Sequence, residues 1–393
     1  MIENKFKKSE IGLIPKDWKE TPIGLVANII NGSTPPTADA ENYGGEYLFV
    51  SPADLGEHKY IVDTIKKLSS KGFAISRRLP SGSILYTCTG STIGKCGIAS
   101  CELTSNQQIN AILPNDSYNN EYLYYAIQTR EQDIRSNASV QAVPLINKAA
   151  FSKTLVAFPE KDEQSRIATA LSDVDELIAT LKKLIEKKRN IKQGARQELL
   201  SGKRRLSGFK DKWVETTLGE ICQITMGQSP ESKYYNTKGD GLPLIQGNAD
   251  MDNRKSIIRF YSSCYSKCCD AGDIIMSVRA PVGSIGRAQY KSCLGRGVCA
   301  LKYDNDFLYY YLVSIENTWS ASSKGSIFES INSKELSETV ISIPHTKEEQ
   351  IAIAEILSDM DSEISMLESR LTKYQSLKQG MMQQLLTGKI RLI

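Results

Sequence analysis

The chain has 393 residues, a length that suits two or three domains better than one compact core. A formal net charge of +4 makes it only mildly basic, so overall balance identifies neither a nucleic-acid nor a membrane partner, and the distribution of Lys and Arg has to decide. Nine cysteines without a C-x-x-C pair, and only His58 and His345 to join them, argue against structural zinc and for reduced thiols.

The residues after Met1, IENKFKKSE, hold no apolar run, and no window approaches the ~20 apolar residues of a membrane helix. The expectation is a soluble chain that is not exported. From IPKDWKETPIGLVANIINGSTP (Ile14 to Pro35) onward, short β-rich runs such as EYLFV and GSILYTC alternate with Gly, Pro, Asn and Ser, and an aromatic helix opens at EYLYYAI from Glu121. NGSTPPTA, Asn31 to Ala38, has its two prolines in the wrong frame for a methyltransferase's Asn/Asp-Pro-Pro-aromatic motif, with Thr37 where the aromatic belongs. GSTIGKC, Gly90 to Cys96, is one residue short of a phosphate-binding loop and carries Cys96 in place of the magnesium-binding hydroxyl, which predicts a tight glycine turn between strands. The polar loops of this region hold Lys66, Lys67, Arg77, Arg78 and Lys95, with Asn106 and Gln107 among them.

A proline-free block follows, opening DEQSRIATALSDVDELI at Asp162. Ile167, Leu171, Val174, Ile178, Leu181 and Ile185 step by fours and threes, the seam of a coiled coil. About 37 residues precede the stop at Gly202, which predicts a helix of about 55 Å. Basic residues crowd its second half and exit, from Lys182 and Lys183 through Lys187, Lys188, Arg189, Lys192 and Arg196 to Lys203, Arg204 and Arg205.

The chain then repeats itself. FKDKWVETTLGEICQITMGQSP, Phe209 to Pro230, aligns Trp213 with Trp18 and Gly227 with Gly32; DFLYYYL from Asp306 answers EYLYYAI. EEQIAIAEILSDMDSEI at Glu348 repeats the first helix at an offset of 186 residues, with seam positions Ile353, Leu357, Met360, Ile364, Leu367, Leu371 and Tyr374. KQGARQELLSGKRRL (Lys192 to Leu206) and KQGMMQQLLTGKIRL (Lys378 to Leu392) agree at ten of fifteen positions. The fold class is α+β, with two pseudo-repeated β-rich globular domains and two long helices. The domains are 1–160, a first helix 161–205, a second domain 206–345 and a second helix 346–393. Because a stripe that long cannot be covered alone, the two helices should pack on each other. The second domain's loops carry Gln246, Asn248, Arg254, Arg259, Arg279, Arg287 and Arg296. Arg suits guanine edges and Asn or Gln suits adenine, so these side chains and their first-domain counterparts are candidates for DNA contact. Catalysis lacks its usual parts. Neither histidine lies near a nucleophile or carboxylate cluster, and Glu160 and Lys161 sit at a helix entrance.

The order of a variable domain opening IGLIPKDW, a helix beginning DEQSRIATALSDVDELI and closing QELLSGKRRL, then the same again ending QQLLTGKIRL, resembles the specificity subunit of type I restriction–modification enzymes over essentially the whole chain. The resemblance implies two target-recognition domains separated by two long antiparallel helices. Each domain would read half of a split double-stranded DNA target, while the helices set the gap and dock two methyltransferase subunits. Restriction/translocase subunits would join through the complex. It also implies a chain without catalysis of its own, with S-adenosylmethionine, ATP and magnesium held by partner subunits; the cysteine pattern and the missing apolar leader add the expectation of a cytoplasmic chain without metal. It supplies no list of base-contacting residues.

Overall fold

The structure, a computed structural model, describes residues 5–56, 58–138, 144–320 and 330–393. It divides into two compact units: Met1–Lys182 with Arg370–Ile393, and Lys183–Ser369. The division cuts through both long helices, so the first unit is completed by the last stretch of the chain.

In the first unit, continuous apolar runs form strands covered on both faces, as such runs do when a sheet is sandwiched. The elements are β1 (Ile29–Asn31), β2 (Tyr43–Val50), β3 (Ile84–Thr87), β4 (Cys96–Ala99), β5 (Leu103–Ser105), β6 (Ile109–Ile112), the aromatic helix α1 (Asn120–Gln128) and the long helix α2 (Lys161–Leu199). One sheet has the order β1-β6-β3-β4 followed by the short strand Tyr60–Ile61; the other places β2 and β5 side by side between Lys66–Leu68 and Arg78–Leu79. Alternation along β3 decides which core each residue joins. Leu85 packs between the sheets with Leu48, Val50 and Leu103. Ile84 and Tyr86 face the opposite way, onto α1 and the long helices, where they join Tyr122, Tyr125, Ile167, Leu171 and Leu385. A two-stranded ribbon, Lys19–Pro22 against Leu155–Phe158, ties the start of the domain to its end just before α2.

The second unit repeats this plan with β7 (Gln223–Met226), β8 (Leu242–Ile245), β9 (Ile274–Ser277), β10 (Ile285–Arg287), β11 (Ser292–Leu294), β12 (Val298–Lys302), α3 (Phe307–Ser314) and α4 (Lys347–Leu385). Its main sheet runs β7-β12-β9-β10 and continues through Lys255–Ser256 and Met251–Asp252; β8 and β11 are again neighbours in the second sheet. Val214–Thr217 pairs with Val340–Ile343 as the closing ribbon.

The long helices pack together antiparallel in each unit. In the first, Asp175 meets Lys378 at 2.7 Å and Glu163 meets Arg391 at 2.7 Å, so α4 descends as α2 ascends. In the second, Lys192 pairs with Asp361, and Arg205 pairs with Glu349 at 2.7 Å. Of the seam positions, Ile167, Leu171, Ile178, Leu181, Ile185, Ile353, Leu357 and Ile364 are buried. Val174, Met360, Leu367, Leu371 and Tyr374 are half-buried. Each fully buried Leu or Ile contributes about 1.5–3 kcal/mol of transfer free energy. The helices stop where Gly202 and Gly388 adopt φ of 68° and 67°, a conformation that costs glycine little. No helix among the described residues is long and apolar enough to cross a membrane.

All nine cysteines are free thiols. Burial pushes Cys88, Cys96, Cys269 and Cys299 up to about 12, and Cys222 to about 11. Because the thiolate is the reactive species, native protein at pH 8 should label with a maleimide at exposed Cys101 and Cys264 within minutes, while these five should label only with unfolding. Mass spectrometry of quenched digests reads the order directly, and fast native labelling of Cys96 or Cys299 would contradict the packing.

Candidate nucleic-acid interface

Loops at one edge of the first unit's sheets are knitted into a rim by main-chain hydrogen bonds. Gly32 N donates to Ile109 O, Ser33 N to Ser105 O, Cys88 N to Gln108 O and Ile146 N to Cys88 O, all at 2.8–3.1 Å. The β5–β6 turn closes with Ile109 N on Asn106 O, leaving Gln107 exposed at its tip. The Thr34 hydroxyl donates to Gln107 Oε1. Tyr43 Oη donates to Pro35 O at 2.8 Å, and Arg77 crosses behind the loop, its main-chain N on Ser33 Oγ and its guanidinium on Asn31 O. Gly32 has to be glycine here, since a Cβ would lie 2.1 Å from Asn106 O.

The second unit builds the same rim. Gly227 N donates to Val298 O, Gln228 N to Leu294 O, Val278 N to Gly297 O and Ile331 N to Val278 O. The β11–β12 turn closes with Val298 N on Gly295 O, and Arg296 is the exposed residue. Ser229 Oγ accepts from Arg296 N, and Tyr235 Oη donates to Pro230 O, taking the places of Thr34 and Tyr43. Gln246 lies beside this tip and donates to Tyr235 Oη at 3.0 Å. Thr34 and Ser229 are missing from the candidates read in the sequence. The signal was present, since each directly precedes the proline of an aligned Gly-x-(Thr/Ser)-Pro.

The remaining candidates divide by their partners. Arg254 pairs with Glu316, Arg287 with Asp306 and Arg259 with Asp250, while Lys67 pairs with Asp63. Arg254 and Arg287 also donate to the carbonyls of Ile285 and Gly272, so both are bound into the edge of their own sheet. Lys66, Arg78, Lys95, Asn248 and Arg279 are exposed and have no acidic partner among the described residues; Arg78 lies over the Phe73 ring. Asn106 is half-buried, its carboxamide donating to Gln108 Oε1 and accepting from Gln108 N. The rim therefore gathers Arg77, Asn106 and Gln107 in one unit and Gln246 and Arg296 in the other, with exposed Asn248 two residues beyond Gln246 and Arg279 on the strand exit after Val278.

Four members of the basic run pair with acids of the other long helix. Lys188 pairs with Glu363 at 2.6 Å, Arg189 with Glu368, and Lys192 and Arg205 with Asp361 and Glu349 as above. Each unit carries a lock at its helix end. Arg391 donates two hydrogen bonds to Glu163 and two to Asp17, lies over the Trp18 ring, and Trp18 Nε1 donates to Glu163. The Arg391 hydrogen bond holds Asp17 below the usual carboxylate range. In the second unit Arg205 grips Glu349 through two bonds of 2.7 Å, and Trp213 takes the place of Trp18, but Lys212 stands where Asp17 would. Lys59 is a half-buried cation joined to Glu121 at 3.0 Å and Ser172 at 2.7 Å.

The sequence profile of the Type I restriction modification DNA specificity domain matches residues 15–188 and 210–377, once in each half. The chain belongs to this DNA specificity family. Among its relatives, a candidate type I restriction enzyme specificity subunit of Methanocaldococcus jannaschii, MjaX, is 31% identical across 99% of this chain and 97% of its own length. The MjaVIII specificity subunit of the same organism is 26% identical across 99% and 96%. Among solved structures, the type I S subunit from M. genitalium aligns with a TM-score of 0.66 over 97% of this chain and 98% of that chain at 18% identity. A chain from a structure of type I R-M complex assembly gives 0.60 over 96% and 99% at 22% identity. These structural likenesses concern the fold, which the specificity family shares across low identity. Among the described residues no group of three or more His, Cys, Asp or Glu side chains is placed to hold a metal ion.

Proposed function

We propose that this chain is the non-catalytic DNA-recognition subunit of a type I restriction–modification complex in the cytoplasm. Each β-rich domain reads one half of a bipartite duplex target. The paired helices set the gap between the halves and dock two methyltransferase subunits, and restriction subunits join through that complex. S-adenosylmethionine, ATP and magnesium are held by the partners. The observation that carries this reading is the rim built twice. The same main-chain hydrogen bonds recur in both units while the side chains at the tip differ, which is what two half-sites of different sequence require. A domain exchange tests it. Replacing residues 210–345 with the second domain of another specificity subunit should change one half-site and leave the other intact, as read by sequencing methylated DNA from cells expressing the chain with its partners. A change in both half-sites, or in neither, would refute the assignment of one domain to one half-site.

A further inference from the structure

We infer that Gln107 and Arg296 occupy the same base-reading position in the two domains, with Gln107 selecting adenine in one half-site and Arg296 selecting guanine in the other. The inference rests on the DNA-reading function proposed above and says which side chains and which bases carry it.

The equivalence is geometric. Both residues hold the second place of a four-residue turn, Asn106 to Ile109 and Gly295 to Val298, closed by the same hydrogen bond at 3.3 and 3.2 Å. Each turn leans on a hydroxyl from the facing loop, Thr34 or Ser229. Each tip residue is exposed, although the flanking positions Ser105, Ile109, Leu294 and Val298 are buried. The turns are held close to their surroundings. A Cβ on Gly297 would lie 2.2 Å from Gln246 O and one on Gly295 3.0 Å from Gln246 Cα, so the Arg296 tip is seated on the main chain of the next strand's exit. A rigid tip loses little conformational freedom on binding, which favours selective readout.

The chemistry then differs by one side chain. Arg254, Arg259 and Arg287 of the same domain are neutralised by Glu316, Asp250 and Asp306, whereas the Arg296 guanidinium has no acidic partner among the described residues. Its planar fork is free to donate to two acceptors at once, the arrangement offered by guanine O6 and N7. At Gln107, the hydroxyl of Thr34 occupies one lone pair of Oε1 and orients the carboxamide. The second lone pair and the NH2 group remain, and they match the N6 donor and N7 acceptor of adenine.

The experiment uses the full chain assembled with its methyltransferase subunits and a pool of randomised duplexes, with bound sequences recovered and read. Arg296→Gln should convert one G·C position of one half-site to A·T or to no preference, and lower affinity for the parent duplex about tenfold to hundredfold. Arg296→Lys keeps the charge and loses the fork, so it should relax the same position while leaving the salt dependence of binding unchanged. Gln107→Arg should turn one A·T position of the other half-site towards G·C. A recovered motif unaltered at every position in all three variants overturns the inference. So does a uniform loss of affinity across all sequences with a shallower salt dependence, the mark of a phosphate contact. If the parent complex itself recovers no motif, the DNA-reading function fails instead, an outcome visible before any variant is compared.

Discussion

Arg391→Ala should lower the thermal unfolding midpoint of the first unit by about 6–12 °C, the shift for about 3 kcal/mol in a domain of this size. The size of the effect follows from what the substitution leaves behind. Glu163 is only 3% exposed, and without the guanidinium its charge stays buried beside the Trp18 indole with no cation to balance it. Asp17 is 60% exposed, so its own share is small, and Asp17→Asn should cost less than about 1 kcal/mol. A second substitution separates lost attraction from stranded charge. Adding Glu163→Gln to Arg391→Ala should recover part of the stability, since a neutral amide is cheaper to bury than a lone carboxylate. Differential scanning calorimetry of the parent and three variants decides the matter, and an Arg391→Ala midpoint within 1 °C of the parent would show that the lock does not hold the helix end.

Seven residues inserted after Leu181, matched by seven after Leu367, should lengthen the undefined gap of the DNA target by about three base pairs. The heptad is the period of the seam, so the insertion leaves Ile178 and Leu181 in phase with Ile185, and Ile364 and Leu367 in phase with Leu371. Each residue adds 1.5 Å along a helix, about 10 Å in all, against a rise of about 3.4 Å per base pair. A four-residue insertion rotates the stripe off its partner and should instead cost folding or assembly with the methyltransferase. Sequencing of methylated DNA from cells carrying the lengthened chain gives the answer. An active variant with the parent's gap would remove the helices from any measuring role.

Much of the architecture was readable because repetition and periodicity are local signals. Ile167, Leu171 and Leu181 announce a buried stripe by spacing alone, and the paired Trp18 and Trp213 or Gly32 and Gly227 announce a duplicated domain. Pairing between distant residues leaves no such trace. Nothing local shows that Lys188, Arg189, Lys192 and Arg205 of the basic run are matched by Glu363, Glu368, Asp361 and Glu349, about 144 to 180 positions on. Arg254 and Arg287 were indistinguishable from Arg296 in sequence, because what separates them is whether the fold brings a carboxylate within 3 Å. The division of the chain into units that cut across both helices was also hidden, because the 186-residue repeat marks where copies begin and says nothing of which copy's helix end each domain keeps.

That division has a consequence for how the protein is made. The first unit needs Arg370–Ile393, yet about 190 residues of other chain are synthesised between Lys182 and that segment. At roughly 5–20 residues per second, the first domain waits about 10–40 s on the ribosome without Leu385 and Leu386 of its core and with Glu163 lacking its arginine. The second unit has no such delay, since Lys183–Ser369 emerges in one piece. Order of synthesis and order of completion are therefore reversed, the later-made unit being able to finish first, and the earlier one is the part of the nascent chain most exposed to chaperones and proteases.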